Sequence, residues 1–92
     1  MKYRLRITQN ALKDIKRHRK SGDKKLLQKI EELLKELQVH PRTGTGQPEM
    51  LKHDLQGLYS RRINQKHRLV YEIKDNIVTV IVLSAHSHYG YK

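Results

Sequence analysis

The sequence predicts a single α+β domain in which two helices pack on one face of a four-stranded sheet. Three observations carry this. Apolar and basic residues alternate at the N-terminus, two capped helical stripes follow, and three strand-like runs close the chain after a glycine-bearing connection. With 92 residues and no internal repeat, residues 1–92 form one domain around one core.

Tyr3, Leu5 and Ile7 alternate with Lys2, Arg4 and Arg6, the period-2 pattern of a half-buried strand. Thr8 or Asn10 can cap a first helix, with Leu12 and Ile15 as its apolar side among Lys13, Lys16, Arg17, Arg19 and Lys20. Ser21-Gly22 ends it. Asp23 caps a second helix, in which Leu26, Leu27, Ile30, Leu33, Leu34 and Leu37 keep the i, i+3, i+4, i+7 spacing of one stripe up to Pro41.

From Arg42 to Gly57 the chain carries Gly44, Gly46, Pro48 and Gly57 without periodicity and reads as a long connection. Strands are expected from Leu58 to Asn64, Arg68 to Lys74 and Ile77 to about Ser87. Asp75-Asn76 would supply the left-handed residues of a tight hairpin between the last two. Strand parity directs Leu69, Tyr71 and Ile73 toward the helices and Arg68, Val70 and Glu72 away from them. His86 and His88 share parity on the last strand, whose far end would come near Arg68.

Lysine and arginine number 20 against 9 acidic residues, a formal charge of +11, and the pI is about 10.1. That balance exceeds what solubility needs and points to a polyanionic partner, nucleic acid first. The absence of cysteine excludes disulfides, thiolate catalysis and cysteine-based zinc sites. No apolar run long enough to span a membrane and no signal-peptide core occurs, so a cytoplasmic protein without membrane contact is expected. Phosphate-binding loops, dinucleotide fingerprints and serine-nucleophile elbows are also missing.

Cleavage of RNA by its own ribose 2'-hydroxyl needs a base, an acid and cations around the phosphate. Glu49, the arginines at 61, 62 and 68, and His88 could fill these roles. Bland readings stand beside this one: Glu49 as a solvated carboxylate paired with Lys52 or Arg42, His88 in a fraying tail, and Tyr89 or Tyr91 packing rather than stacking on bases. His86-Ser87-His88 could also present two metal ligands, but no third is evident and the neighbouring arginines repel a cation.

The run Gly44-Thr45-Gly46-Gln47-Pro48-Glu49-Met50-Leu51-Lys52, then Ser60-Arg61-Arg62-Ile63 and His67-Arg68-Leu69-Val70-Tyr71, with His88-Tyr89 beyond, resembles the YoeB/Txe family of toxin-antitoxin toxins in the RelE/ParE superfamily. The resemblance covers nearly the whole chain. It implies a RelE-like fold and a cofactor-free endoribonuclease, an mRNA interferase that cuts mRNA in the ribosomal A site and so inhibits translation. It also implies a cognate Phd/YefM-type antitoxin, with a homodimer left open. Carried over by position, Glu49 is the general base, Arg68 stabilises the crowded phosphate, His88 protonates the leaving oxygen and Tyr89 stacks on or positions a base. Lys52, His53, Arg61, Arg62 and His67 would hold substrate or ribosomal RNA. The family's Cys-Arg-Tyr-His-Tyr-like ending is replaced here by Ala85-His86-Ser87-His88-Tyr89 and extended by Gly90-Tyr91-Lys92. Two other functions compete: a ParE-like gyrase-inhibiting toxin, and a non-catalytic basic RNA- or ribosome-binding module. Neither needs an acid and a base, which Glu49 and His88 together would supply.

Overall fold

Both helices start at caps expected from sequence, the first also stops where expected, and the second ends at Val39 with His40 as its C-cap, just short of Pro41. Helix α1 spans Gln9–Ser21, its N-cap Thr8 accepting the Ala11 N–H through Oγ1 at 3.2 Å. It ends at Gly22, whose φ of 77° reverses the chain and lets its N–H reach the Arg19 carbonyl. Helix α2 spans Lys24–Val39, and Asp23 Oδ1 accepts the Leu26 N–H at 3.0 Å. The computed structural model describes residues 2–51 and 57–86.

The strands are β1 (Arg4–Ile7), β2 (Glu49–Met50), β3 (Leu58–Arg62), β4 (Arg68–Lys74) and β5 (Thr79–Ser84), in the sheet order β1-β5-β4-β3-β2. β2 through β5 pair antiparallel, while β1 lies parallel to β5, with Leu5 opposite Val80 and Ile7 opposite Val82. The sheet therefore has five strands rather than the expected four. The extra one is a two-residue edge strand inside the long connection, too short to leave a periodic signal.

One core fills the space between sheet and helices. Ala11 from α1 and Leu26, Ile30, Leu33 and Leu37 from α2 meet Ile63, Leu69, Tyr71, Val80, Val82 and Ala85. The expected parity of β4 holds for Leu69 and Tyr71, both fully buried in this cluster, while Ile73 packs partly buried against it. Among the described residues no helix is long and apolar enough to cross a membrane.

The turn between β4 and β5 differs from the expected hairpin. Asp75–Ile77 form a 3₁₀ turn, and the left-handed residue is Val78, with φ 47°. Asp75 is committed elsewhere, because its carboxylate accepts the Tyr3 hydroxyl at 2.6 Å and Arg42 Nη2 at 2.6 Å. A β-branched residue with positive φ is strained by roughly 1–2 kcal/mol. Val78→Gly is accordingly expected to raise stability by about 1 kcal/mol in urea unfolding, even though glycine usually weakens a folded chain.

Candidate active site

The long connection is pinned to the fold before it reaches Glu49. Glu36, near the end of α2, accepts the Thr45 N–H and the Thr45 hydroxyl at 2.5 and 2.9 Å, and Arg61 Nη1 at 2.6 Å. The same guanidinium donates to the carbonyls of His40 (2.7 Å), Thr43 (2.8 Å) and Thr45 (3.4 Å), and through Nε to the Tyr71 hydroxyl (3.3 Å). The Tyr71 hydroxyl in turn donates to the Pro41 carbonyl at 2.8 Å.

The glycines make this close seating possible. Gly44, at φ 111°, leaves no room for a Cβ, which would run into the Glu36 carboxylate. Gly46, at φ 87°, lies so close to β3 that a Cβ would stand 2.6 Å from the Arg62 carbonyl oxygen. The Gly46 carbonyl takes the Arg62 N–H at 2.7 Å, which delivers the chain into the β2–β3 pairing.

Pairing across three strands then assembles the polar group. Glu49 stands opposite Ser60, Ser60 opposite Val70, and Arg62 opposite Arg68. Arg68 Nη2 donates to Glu49 Oε1 at 2.9 Å, and Arg68 Nε donates to Ser60 Oγ at 3.0 Å. The Arg68 side chain is 12% exposed and that of Glu49 55% exposed, so a cation set into the sheet faces a carboxylate open to solvent. Arg62 is exposed beside them. Ser60 and Glu36 were not anticipated as site residues. Ser60 orients the Arg68 guanidinium, and Glu36 holds the connection from which Glu49 projects.

Two of the expected RNA contacts require correction. Arg61 is fully buried and all its described partners belong to the protein, so it offers no surface to a phosphate. Adjacent strand residues face opposite sides, which is why Arg62 emerges where Arg61 does not. His67 is also buried, its ring 4.5 Å from His18 and 4.7 Å from His86 between centroids. Burial, followed by the neighbouring His18, His86 and Lys66 charges, pushes its pKa down to about 4, so it carries no charge at neutral pH. His88, Tyr89, Lys52 and His53 lie outside the described residues.

His86 does not share the site as strand parity suggests. β5 ends at Ser84, and the register slips so that Val70 and Tyr71 face Ser84 and Val82, with Leu83 as the extra residue. Beyond this bulge the His86 ring stacks on His18 at 5.3 Å, and Arg17 Nη1 donates to His86 Nε2 at 3.2 Å. Burial and the Arg17 charge lower the pKa of His86. Among the described residues no group of three or more histidines and carboxylates is arranged to hold a metal ion.

The lowered pKa values make a stability prediction. A histidine held neutral in the fold contributes stability that is fully present above its unfolded pKa near 6.5 and is lost as pH falls toward its folded pKa, here about 4 for His67. The urea midpoint is expected to fall between pH 7 and pH 4.5, and to fall less in His67→Gln.

Comparison with known proteins places this fold. A family model described as YoeB-like toxin of bacterial type II toxin-antitoxin system matches residues 7–89. The chain belongs to that family. It is 47% identical over 68 residues to Toxin YoeB of Synechocystis, an alignment covering 74% of this chain and 77% of the relative. It also superimposes on the YoeB dimer from Staphylococcus aureus with a TM-score of 0.79 at 39% identity, covering 97% of this chain and all of that one. The toxin of the Staphylococcus aureus YoeB-YefM complex matches at a TM-score of 0.78 and 39% identity, with the same coverage. This protein is thus the toxin of a type II toxin-antitoxin system with the α+β fold of its relatives.

Proposed function

We propose that this toxin is a ribosome-dependent endoribonuclease, an mRNA interferase that cuts the codon in the A site by metal-free acid-base chemistry. The observation that carries the reading is the Glu49–Arg68 pair, 2.9 Å apart, reaching across β3 from β2 and β4 of a chain with a charge of +11. A phosphate taken by Arg68 would sit beside the Glu49 carboxylate. In RNA the 2'-hydroxyl is next to that phosphate, within reach of the same carboxylate.

In the reaction Glu49 accepts the 2'-hydroxyl proton, and the 2'-oxygen attacks phosphorus. Arg68, oriented by Ser60, stabilises the added charge on the phosphoryl oxygens, a donor effect worth roughly 10²–10³ in rate. The bond to the 5'-oxygen breaks, and His88 supplies the proton that the leaving oxygen needs. Tyr89 stacks on or orients a base, while Arg62, Lys52 and His53 hold neighbouring phosphates of mRNA or ribosomal RNA. The partner that silences the toxin is a Phd/YefM-type antitoxin, consistent with the complex of its Staphylococcus aureus relative. A homodimer is a second assembly, as in the dimer of that same relative.

The chemistry of the ends tests the mechanism. Internal attack leaves a 2',3'-cyclic phosphate, open to later conversion to a 3'-phosphate, and a 5'-hydroxyl, and it persists when divalent ions are withheld from the chemical step. A 5'-phosphate and a 3'-hydroxyl on freshly cut mRNA would sink this mechanism.

A further inference from the structure

The polar face of α1 holds the end of β5 at successive points. Thr8, its N-cap, donates its N–H to the Val82 carbonyl at 3.1 Å, and both Thr8 Oγ1 and Asn10 Nδ2 donate to the Leu83 carbonyl, at 3.2 and 3.1 Å. One turn on, Asp14 Oδ2 accepts the Ala85 N–H at 2.9 Å. A further turn on, His18 Nε2 meets the Ala85 carbonyl at 2.8 Å. A carbonyl can only accept, so Nε2 carries the proton and the ring is fixed in one tautomer. Arg17 then holds His86. Asn10, Asp14, Arg17 and His18 follow the i, i+4, i+7, i+8 spacing of one helix face.

Sheet pairing does not explain this grip, because β5 ends at Ser84 and the bulge at Leu83 has already broken its register. Ala85 is fully buried, and both polar groups of its backbone are satisfied by side chains of α1 rather than by a neighbouring strand. His18 itself is 3% exposed, an unusual position for a residue that only caps one carbonyl. The Ala85 backbone is therefore held by two side chains, Asp14 at its N–H and His18 at its carbonyl. His88 follows three residues later in sequence.

We propose that His18, assisted by Asp14, is a positioning residue for catalysis: its bond to Ala85 anchors the chain three residues before His88 in sequence. This rests on the endoribonuclease reading for its kinetic consequence, but the clamp can be measured without activity. The reaction demands that an acid stand within hydrogen-bond reach of the leaving oxygen, and a misplacement of about 1 Å can cost on the order of 100-fold in rate.

The test compares wild type with His18→Leu, His18→Gln and His18→Asn. Glutamine can present an N–H near the place of Nε2, whereas asparagine is too short and leucine has no donor. Two quantities are read: single-turnover cleavage of mRNA on purified ribosomes, as a maximal rate and a half-saturating toxin concentration, and the carbonyl 13C chemical shift of Ala85, which reports the bond that His18 donates to that oxygen. Ten-fold or greater loss of maximal rate in the Leu and Asn variants is expected, with half-saturation within two-fold of wild type. The Ala85 carbonyl resonance should move upfield in both, and His18→Gln should return it toward the wild-type position and restore the rate to within three-fold. An unmoved Ala85 carbonyl resonance in folded His18→Leu overturns the clamp whether or not wild type cleaves RNA. A moved resonance with an unchanged cleavage rate overturns the positioning role. If wild type itself does not cleave, the endoribonuclease reading fails and takes the catalytic half of this proposal with it, while the carbonyl shift still decides the clamp.

Discussion

Arg61→Met is expected to destabilise the toxin by about 3 kcal/mol, the lower end of what breaking a buried charged pair costs, and so to lower Tm by roughly 12–24 °C in a domain of this size. The guanidinium has no exposed surface and serves Glu36, three backbone carbonyls of the connection and the Tyr71 hydroxyl. Methionine fills much of the volume but leaves these acceptors without their donor. Glu36 is partly exposed and can be rehydrated, which keeps the expected loss at the lower figure. Arg61→Lys should recover little, because one ammonium cannot reproduce a planar fork that reaches five acceptors. An arginine that served only to hold RNA would leave the melting temperature unchanged and alter affinity alone.

The second large effect concerns catalysis without stability. Glu49→Gln is expected to lower single-turnover mRNA cleavage by about 10²–10⁴, the usual contribution of a general base. Its only described ion pair is the one to Arg68, and the carboxylate is more than half exposed, so the unfolding free energy should move by no more than about 1 kcal/mol. Ribosome binding should persist. Arg61→Met and Glu49→Gln therefore separate cleanly: one loses the fold that presents the carboxylate, the other loses the carboxylate's chemistry.

The fold was legible in the chain because its signals are local. Thr8, Asp23 and Gly22 mark the helix ends through side-chain or backbone chemistry within three or four residues, and the leucine stripe of α2 needs only its own period. What could not be read depends on contacts between distant segments. The burial of Arg61 follows from Glu36, 25 residues earlier, and β2 exists because Gly46 can lie against Arg62. One miss was avoidable: Tyr59, Arg61 and Ile63 share strand parity, and two of the three are core-type residues, so the inward turn of Arg61 was present in the sequence. The bulge at Leu83 was not. It shifts the register of β5 before His86, whose ring packs on His18 of α1 rather than at the Glu49–Arg68 pair.

Glu49 and Arg68 were both expected at the site, and pairing of β2, β3 and β4 brings them together with Ser60. Arg68 lies between Ser60 and Glu49 with two of its nitrogens committed, which fixes the plane of its guanidinium before substrate arrives. Such preorganisation is what allows a cation to favour a transition state over a ground state.

Primer extension on an mRNA bound to purified ribosomes, beside the same mRNA free in solution, tests the central claim most directly. The proteins compared are wild type, Glu49→Gln and His88→Ala. A break at the A-site codon made by wild type only, and only on ribosomes, is the predicted result. Intact mRNA with folded wild-type toxin, or equal cleavage by all three proteins, would contradict it and direct attention to gyrase inhibition or to a purely binding role for the basic surface.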